Sequence, residues 1–172
     1  MAFFFDPERG GLYPYASDGE QLIARNKEVY DGAMPSGNAV AALVFSLLAR
    51  LTGEKRWQEA AEKQLSYLAG AVSRYPAGHS FAMLALLEAL WPTAELVCTG
   101  QRVPPGLLAR LREAPLFALS VLVKMPENEV ALAALAPFTR DYPIPAEGER
   151  FYLCRDGSCA APVDDIAKLE LS

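Results

Sequence analysis

An uncharged run of 18 residues, Gly32 to Ala49, narrows the folds open to this chain more than any other stretch. Within it, Ser36 is placed to cap a helix from Gly37 to Leu51, and Gly53 to end that helix in a left-handed turn. Val40, Leu43, Val44, Phe45, Leu47, Leu48 and Leu51 surround this helix and leave no broad polar stripe. Such a helix belongs in an interior, packed on several sides. It cannot cross a bilayer, because its apolar part, Ala39 to Ala49, falls short of the roughly 20 residues that a span requires.

The neighbouring segments set off this inner helix. From Glu54 to Arg74, Trp57, Ala60, Ala61, Leu65, Leu68, Ala69 and Val72 keep the helical period, and Lys55, Glu59, Glu62, Lys63 and Gln64 fill the other face. That pattern predicts an outer helix, joined to the first as an antiparallel hairpin. A third helix, His79 to Leu90, is again apolar on most sides and stops before Pro92. Nine of the 13 prolines fall from Pro92 onward, and the period changes there. Glu95–Thr99, Ser120–Lys124 and Phe151–Cys154 read as strands, with helices from Pro104 or Pro105 to Arg112 and from Glu127 to Leu135. This alternation predicts a small, mainly parallel sheet with right-handed crossovers. Asp156-Gly157 is a hairpin signal that returns Cys159–Val163 as an antiparallel edge, and Asp164 can cap a last helix to Leu171. The expected fold is α+β: a helical region, 1–92, followed by a small β/α/β segment, 93–172.

Charge excludes several classes of function. Residues 1–92 carry 8 basic and 10 acidic side chains, and residues 93–172 carry 8 and 11, for a net charge of −5. Neither part has the cationic excess that nucleic-acid phosphates or an anionic membrane surface would require. The amino terminus lacks a basic region and a cleavage site, and three cysteines do not form a secreted disulfide framework. A cytoplasmic protein is expected. There is no Gly-x-x-x-x-Gly-Lys-Ser/Thr loop and no Gly-x-Ser-x-Gly elbow.

Residues 25–38, Arg-Asn-Lys-Glu-Val-Tyr-Asp-Gly-Ala-Met-Pro-Ser-Gly-Asn, resemble a signature of the thioredoxin-domain-containing protein family (spermatogenesis-associated protein 20-like). Gly10-Gly11-Leu12-Tyr13, Leu51-Thr52-Gly53, Arg74-Tyr75-Pro76 with His79, and Cys154 to Cys159-Ala160-Ala161-Pro162-Val163 extend the resemblance along the chain. Asn26, Ala39 and Met34 depart from the pattern. The resemblance implies the last part of a longer protein. Its helices would close an (α/α)6 toroid similar to N-acylglucosamine 2-epimerases and six-hairpin glycosidases, and the thioredoxin-like domain would be absent. It implies a carbohydrate-like ligand, with the fragment alone inactive. The alternative is a non-enzymatic interaction or redox-linked assembly module.

The candidate chemistry lies in the loop before the inner helix. Glu28 and Asp31 are a carboxylate pair of the kind that glycoside chemistry uses as acid and base. Lys27 would keep one of them ionised, and Tyr30, Ser36 and Asn38 offer ligand-binding groups. The same residues also make a good turn and helix start. His79, the only histidine, is the acid/base candidate by resemblance, or else a hydrogen-bonded core residue. Cys154 and Cys159 would face each other across a hairpin, as reduced structural thiols first and as a redox-labile pair second. Neither a metal nor a cofactor is expected, since the ligand set for a four-coordinate zinc site is incomplete. Three helices with two apolar on most faces cannot shield one another. A homodimer through Gly37–Leu51 and His79–Leu90, or association with a missing amino-terminal part, is therefore expected.

Overall fold

The computed structural model describes residues 3–20, 24–113, 118–155 and 157–171. The chain divides into two compact units, Met1–Leu90 and Trp91–Ser172. Among the described residues there are five α-helices and one open four-stranded sheet. Among the described residues no closed toroid forms, so the (α/α)6 architecture is overturned, while the coarser order of helices followed by a small sheet stands.

In the first unit, helix α1 (Gly37–Thr52) starts where the Ser36 hydroxyl accepts the Ala39 N–H at 3.2 Å. It ends at Gly53, whose φ of 67° lets its N–H return to the Ala49 carbonyl. Helix α2 (Lys55–Val72) follows at once, and α3 (Ser80–Leu90) comes after a 3₁₀ turn at Pro76–Gly78. Small side chains set the packing: Ala39, Ala42, Ala82 and Ala85 surround Leu68, so the helix backbones approach closely. A second cluster joins Ala41, Ala60 and Ala61 to Phe45, which stacks on Trp57 with ring centroids 5.8 Å apart. An ion pair, Arg50 to Glu88 at 2.6 Å, ties α1 to α3.

The inner and outer character of the helices needs two corrections, the first being that α1 and α3 are not enclosed: Val40, Val44, Leu47, Met83, Leu84 and Leu87 are exposed. Second, Gln64 was expected on the polar face of α2 but is fully buried at 0% exposure. It lies at helical spacing from Ala60, Ala61 and Leu68, inside the apolar stripe rather than opposite to it.

The second unit holds strands β1 (Ala94–Gly100), β2 (Leu119–Lys124), β3 (Glu149–Arg155) and β4 (Ser158–Cys159), in the order β2-β1-β3-β4. Helix α4 (Leu107–Glu113) sits in the crossover between the parallel pair β1 and β2, which runs in register from Ala94↔Leu119 to Thr99↔Lys124. The prolines expected in its first turn precede it: Pro104 accepts from the Leu107 N–H instead.

Strand β3 was expected to be parallel and is antiparallel to β1, with Gly100 opposite Glu149. The cause lies in the segment between β2 and β3. Helix α5 (Glu129–Leu135) leads into a 3₁₀ stretch, Pro137–Asp141. Lys124, at the end of β2, holds the carbonyls of Thr139 and Tyr142, and Gln101, just past β1, holds that of Pro145. The chain is therefore pinned at the end where β1 and β2 finish, and it re-enters the sheet from there. The sheet is mixed.

Leu96, Cys98, Phe151 and Leu153 form one face of the sheet, covered by Leu107 of α4 and by Leu169 and Leu171. The last helix is shorter than expected. It is a 3₁₀ turn at Ile166–Lys168, capped by Asp165 rather than by Asp164. The hairpin expected around Asp156-Gly157 forms in that β3 and β4 pair antiparallel, although Asp156 itself lies outside the described residues.

Candidate functional site

The loop before α1 is held by its own polar side chains. The Asp31 carboxylate accepts the Ser36 N–H at 2.8 Å through one oxygen, and the N–H groups of Phe81 (2.9 Å) and Ala82 (3.1 Å) through the other. It thus satisfies orphan donors in the first turn of α3 from outside that helix. Burial acts to raise its pKa, but the amides of Ser36, Ala82 and Phe81 outweigh burial and hold it below the usual carboxylate range. The backbone of Asp31 is also engaged, donating to the Gly78 carbonyl at 2.8 Å.

Lys27 was expected to serve Glu28 or Asp31. It instead donates to Asp6 at 2.7 Å and to the Gly10 carbonyl at 2.6 Å, between the rings of Tyr13 and Tyr67. Asp6 accepts from Lys27 and from the N–H groups of Arg9 and Glu8, and its pKa is driven far below normal in that order of cause. Gly10, with φ of 69°, passes under α2 so closely that a Cβ would overlap the Lys63 carbonyl oxygen. Only glycine fits there.

Asn38 is saturated. Its amide nitrogen donates to the carbonyls of Leu12 (3.0 Å) and Glu28 (2.6 Å), and its oxygen accepts from the Leu12 N–H (2.6 Å) and from Gln64 (2.8 Å). Gln64 also donates to the Asn38 carbonyl and accepts the Gly11 N–H. Together the two amides stitch the amino-terminal segment to α1 and α2. Ser36 is occupied as the α1 cap.

His79, 7% exposed, donates through Nδ1 to the Tyr75 carbonyl at 2.7 Å, and the rings of Tyr30 and Tyr75 meet it edge-on. Tyr30 is otherwise exposed. Of the three expected acid/base residues, Glu28 lines a concavity. That groove, about 650 Å³, lies between the amino-terminal segment and α1, with walls from Phe4, Leu12, Tyr13, Val40 and Val44. Asp31 and His79 do not line it.

In the second unit, Cys154 and Cys159 are cross-strand partners joined as a disulfide, not the reduced pair placed first from the sequence. The Tyr142 hydroxyl lies 3.3 Å from the Cys154 sulfur and 3.2 Å from that of Cys159. Its ring stacks on Tyr152 with centroids 4.4 Å apart. Lys124 is 1% exposed and pairs with Glu129 at 3.1 Å. The third cysteine, Cys98, is buried, and burial pushes its thiol up to about 12. Among the described residues no group of three or more His, Cys, Asp and Glu side chains is placed to hold a metal ion. No helix among them is long and apolar enough to cross a membrane.

Sequence reasoning missed Asp6, Gln64, Lys124 and Tyr142. A signal existed for Gln64, a lone amide on an apolar helical stripe. Lys124 and Tyr142 take their partners across turns that the sequence does not specify, and Asp6 meets Lys27 in the same way, although its contacts to the Glu8 and Arg9 amides are local.

Compared with known proteins, the chain matches no family model and no curated relative. With the open sheet and the absence of a toroid, this overturns the assignment to the thioredoxin-domain-containing family. It also overturns the glycosidase- or epimerase-like function and the carbohydrate role that followed from it.

Proposed function

We propose that the first unit is a self-association module, in which the exposed apolar stripes of α1 and α3 pair with those of a second copy of the chain. One observation carries the reading. Val40, Val44 and Leu47 on α1, with Met83, Leu84, Leu87 and Leu90 on α3, all stand in solvent although the two helices pack on each other. These seven side chains leave on the order of 600 Å² exposed, at the top of the range for a monomer's largest patch and close to the roughly 800 Å² that each partner brings to a standard interface.

Charge favours a second copy as the occupant. No charged residue lies between Gly32 and Ala49 or between Gly78 and Leu87, and Glu88 is buried against Arg50, so the helix segments that carry these side chains bring no exposed like charges of their own to a contact between two copies. Asp31, Ser36, Asn38 and His79 support the same reading, because their hydrogen bonds to backbone leave them little to grip a substrate.

Sedimentation of the full chain at micromolar concentration tests this. A dimer is expected, with Val44→Glu and Leu87→Glu each giving monomers of unchanged circular dichroism. A wild-type chain that stays monomeric up to about 100 µM, roughly the 5 kcal/mol level of affinity, sinks the proposal.

A further inference from the structure

We propose that Cys159 and Cys154 form a thiol–disulfide exchange site, in which a small thiol attacks Cys159 and Cys154 leaves under the hydroxyl of Tyr142. The two sulfurs are not equivalent. Cys159 stands exposed on β4, a two-residue edge strand, and Cys154 is 5% exposed on β3. Exchange needs the nucleophile in line with the sulfur–sulfur bond, and of the two residues Cys159 is the one exposed to solvent.

In the first step the thiolate of the incoming thiol bonds to the Cys159 sulfur. The bond to Cys154 breaks, and its electron pair leaves on the Cys154 sulfur as a thiolate. A second thiol then attacks the sulfur of the first, releasing Cys159 as a thiol and a small disulfide as product. Two small thiols are oxidised and one cystine is reduced.

A thiolate forming at a buried position is costly unless a donor meets it. Tyr142 is that donor. Neither sulfur of the disulfide carries a hydrogen, so the phenol O–H is the donating group in both contacts. It keeps its proton at neutral pH, because burial and then the charges of Asp141 and Glu95 raise its pKa. The ring is held by its stack on Tyr152, and the backbone by Lys124, which donates to the Tyr142 carbonyl at 2.9 Å.

The test uses the native full chain and glutathione. After brief exposure to the reduced form and an acid quench, peptide mapping is expected to find the adduct on Cys159. With glutathione disulfide, Cys154→Ser should take one adduct at Cys159, and Cys159→Ser should take none at Cys154. Tyr142→Phe, which keeps the stacking ring, should be reduced about 10-fold more slowly, the effect of losing one hydrogen bond to a charged group. An adduct on Cys154, or a Tyr142→Phe rate equal to wild type, overturns the proposal. So does a disulfide that glutathione reduces only after denaturation. The wild-type map and the two serine variants decide the matter even if Tyr142→Phe does not fold. Cys98 remains unreacted in the native chain and serves as an internal control.

Discussion

At the scale of single residues, the polar groups before α1 are structural fasteners. Asn38 completes four hydrogen bonds at once, joining the backbone at Leu12 and Glu28 to Gln64. Asn38→Ala would strand several buried donors and acceptors, and unsatisfied groups of this kind cost about 1–3 kcal/mol each. A loss of about 3 kcal/mol in urea unfolding is expected, with an unchanged slope. Asp31 and Asp6 give a pH dependence of definite sign. Both carboxyls lie below their unfolded pKa, so the stability they add is complete above about pH 4 and is lost as pH falls through that value toward the folded pKa. Acid titration of the first unit should show this loss, and Asp31→Asn should make the decline shallower while lowering stability at pH 7.

At the scale of elements, the placement of β3 depends on a fastener as well. Lys124 ends β2 and holds the carbonyls of Thr139 and Tyr142, which follow α5. Lys124→Met keeps the volume but leaves those carbonyls and Glu129 without their cation. A loss of about 2–4 kcal/mol is expected in thermal or denaturant unfolding. The same variant should quench the stacked Tyr142–Tyr152 signal in near-ultraviolet circular dichroism if the stretch detaches; an unchanged spectrum would show that Lys124 does not hold it. Helix α1 is the opposite case. Ser36 and Gly53 mark its ends in the sequence, and they cap it in the fold.

At the scale of the whole molecule, self-association makes stability a function of concentration. If the α1 and α3 stripes are covered by a second copy, the midpoint of thermal unfolding should rise with protein concentration through the micromolar range. Val44→Glu should abolish that dependence. A midpoint independent of concentration in the wild type would argue for a partner other than a second copy, and against the proposed module.

The amino-acid sequence determined the local features: the helix ends at Ser36 and Gly53, the apolar stripes, the first crossover of the sheet and the facing of Cys154 with Cys159. These depend on groups a few residues apart, whose geometry follows from the helical and strand periods. The candidate site was legible only as a set of residues. Glu28, Asp31 and His79 have the right chemistry for catalysis, but the orphan amides of α3 and the carbonyl of Tyr75 claim two of them. Such claims are made by backbone brought close through packing, and no spacing in the sequence records them. Tertiary structure alone decided that β3 runs antiparallel, that Lys27 answers to Asp6, and that Tyr142 stands over the disulfide. In each case a polar group removed from water takes whichever partner the packed chain presents to it.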